Sequence, residues 1–175
     1  MLALVVLLQC GCGGTKTSDT VSMYDLRQTM EAADKSLPEM LNASSADENA
    51  ADQFAYISDL DYGKVDSFFL SYAKEGTADE IAVVAVKDVN DIDEAKQSLE
   101  THRQNRRKLL DQYEPEEVKR IDDGLVFAKD QYAVLIICDD ASAVKAAFEK
   151  AIEQERYLRI RTNGRKTGWY GDVHS

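Results

Sequence analysis

The sequence contains few of the residues that crosslink a chain, interrupt its helices or bind metals. Its 175 residues include three cysteines, two prolines and two histidines. Three cysteines are too few for a disulfide framework, so a folded domain must rest on its hydrophobic core. No Ser/His/Asp triad, H-E-x-x-H motif, glycine-rich phosphate loop or Cys-x-x-Cys can be assembled from this inventory. We therefore expect a protein that is not an enzyme and that holds no metal and no cofactor.

Basic residues are also under-represented. The chain has 21 Lys and Arg against 32 Asp and Glu, a formal net charge of −11. A nucleic-acid binder needs clustered positive charge, so this function class is excluded. The charge is uneven, because residues 156–175 carry five basic side chains and one acidic side chain. With 44% hydrophobic residues, the length suits one globular domain.

A long hydrophobic run is absent. The apolar stretch Leu2–Leu8 is seven residues long, which spans about 10 Å as a helix, whereas a bilayer core is about 30 Å thick. It is typical of the end of a signal peptide, which we assign to residues 1–11. The basic residues that begin such a peptide are missing, so we expect a truncated one. The alternative is the buried apolar start of a cytosolic domain.

The residues Gly11-Cys12-Gly13 resemble a bacterial lipobox, in which a small residue precedes the cysteine that is lipidated. Cys10 fits less well, because Gln9 would occupy the small position. We therefore predict lipid attachment at Cys12, with residues 12–21 as a tether. A diacylglyceryl group supplies the two chains that stable anchoring requires. The expected location is the extracytoplasmic face of the cell membrane.

Residues 22–157 are predicted to form one α+β domain. Ser22, with Asp25 three residues later, indicates a helix start, and Pro38 indicates that this helix has ended. A loop or a second short helix follows, so one or two helices precede the sheet. Beyond residue 157 the periodicity disappears, and residues 158–175 are predicted to be a flexible basic tail.

A hairpin followed by a helix then occurs twice. The predicted strands and turns are Val65 to Ala73, a turn at 76–79, Glu80 to Val86, Gly124 to Lys129, a turn at Asp130-Gln131, and Tyr132 to Ile137. A long helix to about Tyr113 follows the first hairpin, and a helix capped by Asp139 or Asp140 follows the second. Two such ββα units predict a four-stranded antiparallel sheet with helices on one face.

The long helix contains the strongest candidate for a site. Its inward positions are predicted to be Ala95, Leu99, His102, Arg106, Leu109 and Tyr113. The candidate anion-binding residues are Arg103, Arg106, Arg107 and Lys108, which could bind a cell-wall polymer or a lipid headgroup. The alternative is a solvated face whose charges meet the acidic turn at 114–117.

Two acidic pairs, Asp122-Asp123 and Asp139-Asp140, are the candidates for a metal-dependent hydrolase. For Asp139-Asp140 we prefer the alternative, which is helix capping and pairing with the helix dipole. Cys138 ends an apolar run, and we expect it to be a small buried hydrophobic residue instead of a nucleophile.

Residues from about Phe54 to Ile152 resemble the DUF4358 domain, which is found in short lipoproteins of Gram-positive bacteria. The matching segments are Asp79-Glu80-Ile81-Ala82-Val83, Tyr113-Glu-Pro115-Glu116-Glu117, and Tyr132 before an apolar strand that ends at Asp139-Asp140. The glycine usual in the family shortly before this tyrosine is absent, since Asp130-Gln131 stands there. The resemblance implies an envelope location and a fold, and no reaction.

The expected function is therefore a binding or accessory module in the cell envelope, anchored by Cys12. Its partner would be an envelope protein, bound by the sheet face that is free of helices. This hypothesis predicts an exposed apolar or aromatic patch around Phe68 and Tyr72. The alternative is the anionic polymer or headgroup bound by the basic helix.

Overall fold

The computed structural model describes residues 21–166, which form a five-stranded sheet with helices on both faces. The strands are β1 (Met40–Ser44), β2 (Val65–Ala73), β3 (Glu80–Val86), β4 (Leu125–Lys129) and β5 (Tyr132–Ile137). Every neighbouring pair is antiparallel, in the order β1-β2-β3-β5-β4. The predicted strands β3 and β5 are adjacent within the sheet, as expected from their apolar sequences.

Helices cover the sheet in two layers. The helices are α1 (Met23–Glu31), α2 (Ala50–Phe54), α3 (Ile92–Tyr113), α4 (Val118–Asp122) and α5 (Ala141–Lys166). One hydrophobic cluster joins α2, α3 and α4 to one face of the sheet. A second cluster joins α1 and α5 to the opposite face. The α+β class is confirmed.

The prediction of four strands with helices on one face was wrong in both details. All seven residues of β3 are buried, with Ala82 and Val84 in one cluster and Ile81 and Val83 in the other. A strand without polar alternation is buried on both faces, and both therefore need a helical layer. No sheet face is left free among the described residues. Phe68, which was predicted to be part of an exposed patch, is fully buried, and Tyr72 is partly buried.

Strand β1 was predicted to be a loop or helix, because its polar residues hide the strand pattern. It is an edge strand, and Ala43 is its one buried residue. An edge strand needs fewer apolar residues than a central one. The helix that follows it, α2, is held by aromatic contacts of Phe54 with Tyr62 and Phe68, at centroid distances of 5.5 and 5.2 Å.

Several local predictions are confirmed. The Ser22 hydroxyl accepts a hydrogen bond from the Asp25 N–H and caps α1. The Asp140 carboxylate accepts one from the Ala143 N–H at 2.9 Å and caps α5. In the turn between β4 and β5, Asp130 has a φ of 53°, the left-handed conformation that short hairpin turns use.

The ends of two helices differ from the prediction. Leu109 and Tyr113 were predicted to face inward, but they are 57% and 72% exposed because the end of α3 extends beyond the sheet. Helix α5 continues to Lys166, so the predicted flexible tail is helical from residue 158 to residue 166. The predicted signal peptide, Cys12, the tether up to residue 20 and the end of the tail at 167–175 lie outside the described residues. None of the described helices is both long and apolar enough to cross a membrane.

Candidate binding cleft

A cleft of about 470 Å³ opens between α2 and α3. Helix α2 contacts β1, whereas α3 packs over β5 and β4, which leaves the end of β2 uncovered between them. The cleft is lined by Gln53, Tyr56, Ile57, Leu70, Tyr72, Ala73, Glu80, His102 and Arg106. This lining combines apolar walls with a few converging polar groups, the usual composition of a ligand site.

Three ionisable side chains meet in the cleft. Glu80 is buried, and its side chain is 3% exposed. His102 Nε2 lies 2.8 Å from one carboxylate oxygen, Oε1, and Arg106 pairs with the other, Oε2. Both oxygens are therefore occupied, and the carboxylate is neutralised by the guanidinium. We call Glu80, His102 and Arg106 the cleft triad.

The backbone explains why these three residues converge. Glu80 is the first residue of β3 and lies opposite Tyr72 of β2. His102 and Arg106 are four residues apart on α3, so both point from the same side of the helix toward the sheet. The sequence pattern placed both on the inward face of α3. What it missed was their partner, although a glutamate at the start of an apolar central strand indicates a paired buried charge.

Burial determines the protonation of the triad. Burial lowers the pKa of His102 to about 4, so the imidazole is neutral near pH 7. Its Nε2–H then donates to Glu80, because an ionised carboxylate only accepts. Burial also lowers the pKa of Arg106. The nearby carboxylates of Asp79 and Glu114 act in the opposite direction and raise this pKa, but by less. Arg106 and Glu80 form an ion pair at the base of the cleft.

Two tyrosines border the cleft. Tyr56 lies in the turn after α2 and is 75% exposed, and Tyr72 is partly buried against the core. Ile57 and Leu70 supply the apolar wall. The lining contains no serine, threonine or cysteine. The cleft therefore offers aromatic surface and a fixed, charge-balanced floor.

The other candidate anion-binding residues lie outside the cleft. Arg103 donates to both carboxylate oxygens of Glu100 and to the Ile121 carbonyl. Arg107 pairs with Asp122 at 2.7 Å. Lys108 is exposed. The four residues therefore do not form one common site.

A second, partly buried charge cluster lies next to the triad. Arg120 of α4 donates to Asp79, Glu117 and Asp139, at 3.1, 3.0 and 2.6 Å. Asp79 is buried and directly precedes Glu80 in the sequence. Glu117 also accepts a hydrogen bond from the Ala78 N–H at 2.8 Å. This cluster joins the turn before β3 to α4, and so holds the start of β3 in place.

The carboxylates of both acidic pairs already have partners: Arg120 pairs with Asp139, and Asp140 accepts the Ala143 N–H. Asp122 pairs with Arg107 and Asp123 pairs with Lys119. Within residues 21–166, no group of three His, Cys, Asp or Glu side chains could hold a metal ion.

Cys138 is buried, as its sequence context predicted. Burial raises the pKa of its thiol to about 12, and the nearby Asp34 adds to this shift. The thiol is therefore protonated at neutral pH.

The described structure is thus a three-layer α+β domain with a charge-paired cleft between two of its helices. The chain belongs to the family described as "Domain of unknown function (DUF4358)", whose model matches residues 38–138. The match includes all five strands and the whole cleft, and it omits α1 and α5. No curated protein and no solved structure matches the chain. The resemblance found in the sequence is confirmed for the domain.

Proposed function

We propose that the protein is a membrane-anchored extracytoplasmic lipoprotein that acts as a binding module through the cleft. The observation that carries this proposal is the cleft triad at the base of an open cleft. Burying charged groups costs several kcal/mol each unless they are paired. An apolar residue would fill the same space without that cost. A charged floor that remains accessible is therefore best explained by recognition of a ligand.

Binding fits the triad better than catalysis does. A general base needs a free lone pair directed at its substrate. Both oxygens of Glu80 are engaged, and His102 directs its Nε2 at Glu80 instead of at the cleft opening. Arg106 uses one nitrogen for Glu80, and its guanidinium has further N–H donors. These donors suit a carbonyl or carboxylate oxygen of a bound partner.

The partner that the cleft favours is a segment of another envelope protein. Tyrosine and arginine are enriched at the centres of protein interfaces, where they supply contact area and directed hydrogen bonds. Tyr56, Tyr72 and Arg106 provide this combination within one cleft. The volume of about 470 Å³ accommodates a few side chains of a bound polypeptide.

The anchor is tested by metabolic labelling with a radioactive fatty acid in a bacterial host. The coding sequence receives a complete signal peptide, and Cys12→Ala is compared with Cys10→Ala. We expect label in the Cys10→Ala protein and none in the Cys12→Ala protein. Equal labelling of the two variants would mean that Cys12 is not the lipidated residue. An unlabelled parent protein would refute the lipid anchor.

The binding module is tested by site-specific photocrosslinking in cells. A photoreactive amino acid replaces Tyr56 at the cleft or Ser142, which is exposed at the start of α5 in the opposite layer. We expect a discrete protein adduct from position 56 that is at least about tenfold stronger than from position 142. Equal adducts from both positions would show random collision and refute a cleft-specific partner.

An anionic wall polymer or lipid headgroup is the second candidate ligand. The observation in its favour is that Lys108 and the partly exposed Arg107 lie on the outer part of α3. Against it, Arg103, Arg106 and Arg107 already contact carboxylates. With the photoreactive amino acid placed at Lys108 on the outer part of α3, a polymer would give a heterogeneous adduct that resists protease.

A further inference from the structure

The end of helix α5 extends beyond the hydrophobic core. Val144, Phe148 and Ile152 recur every four residues and are buried in the core. The next position in this series is Arg156, which is exposed. The helix nevertheless continues to Lys166, about 15 Å further at 1.5 Å per residue. The described side chains at 156–158, 160 and 161 are exposed and are therefore not held by packing against the sheet.

This extension combines positive charge with exposed apolar side chains. Residues 156–166 contain five basic residues and no acidic residue, in a chain with a net charge of −11. Tyr157, Leu158 and Ile160 are 65%, 54% and 66% exposed. Arg156 and Arg161 are exposed beside them. Exposed aromatic and aliphatic side chains among basic ones are typical of a helix that lies at a membrane surface.

The N-terminal connection approaches the domain at the same place. Val21 lines a surface depression together with Glu155 and Arg156. Its N–H donates to the Tyr132 hydroxyl at 3.2 Å, which fixes this point of the chain on the domain. Residues 12 to 21 can reach at most about 30 Å when fully extended. A lipid on Cys12 would therefore keep the start of the extension within about 30 Å of the bilayer.

We propose that the exposed end of α5, beginning at Arg156, binds the anionic surface of the membrane that carries the lipid anchor. The identity of that membrane rests on the function proposed above, whereas the affinity for anionic lipid rests on α5 itself. Lipid is favoured over a protein partner because the charge is of one sign and the apolar residues are interspersed with it. Each Lys or Arg near an anionic surface adds to the electrostatic attraction.

The test measures cosedimentation of the full chain with vesicles. The Cys12→Ala protein is used so that no lipid anchor contributes. Vesicles contain phosphatidylcholine alone or phosphatidylcholine with phosphatidylglycerol. We expect binding to the anionic vesicles only, weakened by salt and at least about tenfold weaker in Arg156→Glu/Arg161→Glu. The matched control is Lys35→Glu/Lys96→Glu, the same charge change at two exposed sites, and it should bind like its parent.

Four results would overturn the proposal: no binding, equal binding to both vesicle types, equal loss in the control, or no loss in the Arg156/Arg161 variant. Analytical ultracentrifugation provides a separate readout. Self-association that depends on Tyr157 and Ile160 and occurs without vesicles would assign this face to a second copy of the chain. If α5 binds vesicles but Cys12 is not labelled, the lipid anchor is refuted and the proposal that α5 binds anionic lipid is still supported.

Discussion

Replacing Glu80 by Leu should lower the free energy of unfolding by about 3–5 kcal/mol, because it leaves Arg106 buried without its counterion. Arg106→Leu should cost a similar amount by leaving the carboxylate of Glu80 unneutralised. The double variant removes both charges and fills the space with apolar groups, so it should be less destabilised than either single variant. Urea denaturation of the four proteins measures this double-mutant cycle.

The matched control is the ion pair between Lys74 and Glu39, in which Nζ lies 3.0 Å from Oε1. The two side chains are 46% and 73% exposed. Water screens this pair, so the same cycle there should give a coupling below about 1 kcal/mol. Additive effects of the Glu80 and Arg106 substitutions would show that their charges are not coupled. In that case the cleft floor would be open to water, contrary to its described burial.

The second large effect concerns the pH dependence of stability. His102 has a pKa of about 4 in the folded protein because it is buried, whereas an unfolded histidine has a pKa near 6.5. Between these values the unfolded state binds more protons, so the free energy of unfolding falls as the pH falls. The contribution of His102 is complete above about pH 6.5. It is lost progressively down to about pH 4, a change on the order of 3 kcal/mol.

The variant His102→Gln isolates this effect, since it keeps a hydrogen-bond donor next to Glu80 and cannot be protonated in this range. Its free energy of unfolding should change less between pH 7 and pH 4.5 than that of the parent, by about 2–3 kcal/mol. Proton NMR should show the His102 ring titrating near pH 4, with His174→Ala used for assignment. A midpoint near 6.5 would contradict the lowered pKa of His102.

Most of the sheet could be predicted because its signals are local. Strands β3 and β5 are apolar and rich in β-branched residues. Polar turn residues separate β2 from β3 and β4 from β5, so the bounds of these strands follow from the sequence. Strand β1 could not be found, because one buried alanine does not make a pattern. The second helical layer was missed for a different reason. The uninterrupted apolar sequence of β3 was interpreted only as a sign that β3 is a central strand, although such a strand also requires helices on both faces of the sheet.

The cleft could be predicted only in part. Helical spacing placed His102 and Arg106 on the inward face of α3, which the structure bears out. Their partner Glu80 is more than twenty residues away, and the pairing depends on how α3 crosses the sheet. Tyr56 carries no sequence signal, because it lies in a turn and contacts the cleft only through the placement of α2. Local patterns therefore identify elements, whereas a site between elements depends on their packing.

The most direct test of the proposed binding cleft is to fill it. Gln53 is a partly buried residue that lines the cleft. Gln53→Trp adds a bulky side chain there and leaves all three residues of the triad unchanged. Gln97→Trp makes the same change at an exposed position of α3. With the photoreactive group at position 56, we expect the adduct to persist in Gln97→Trp and to fall at least about tenfold in Gln53→Trp. Undiminished crosslinking in a folded Gln53→Trp protein would contradict the cleft as the binding site.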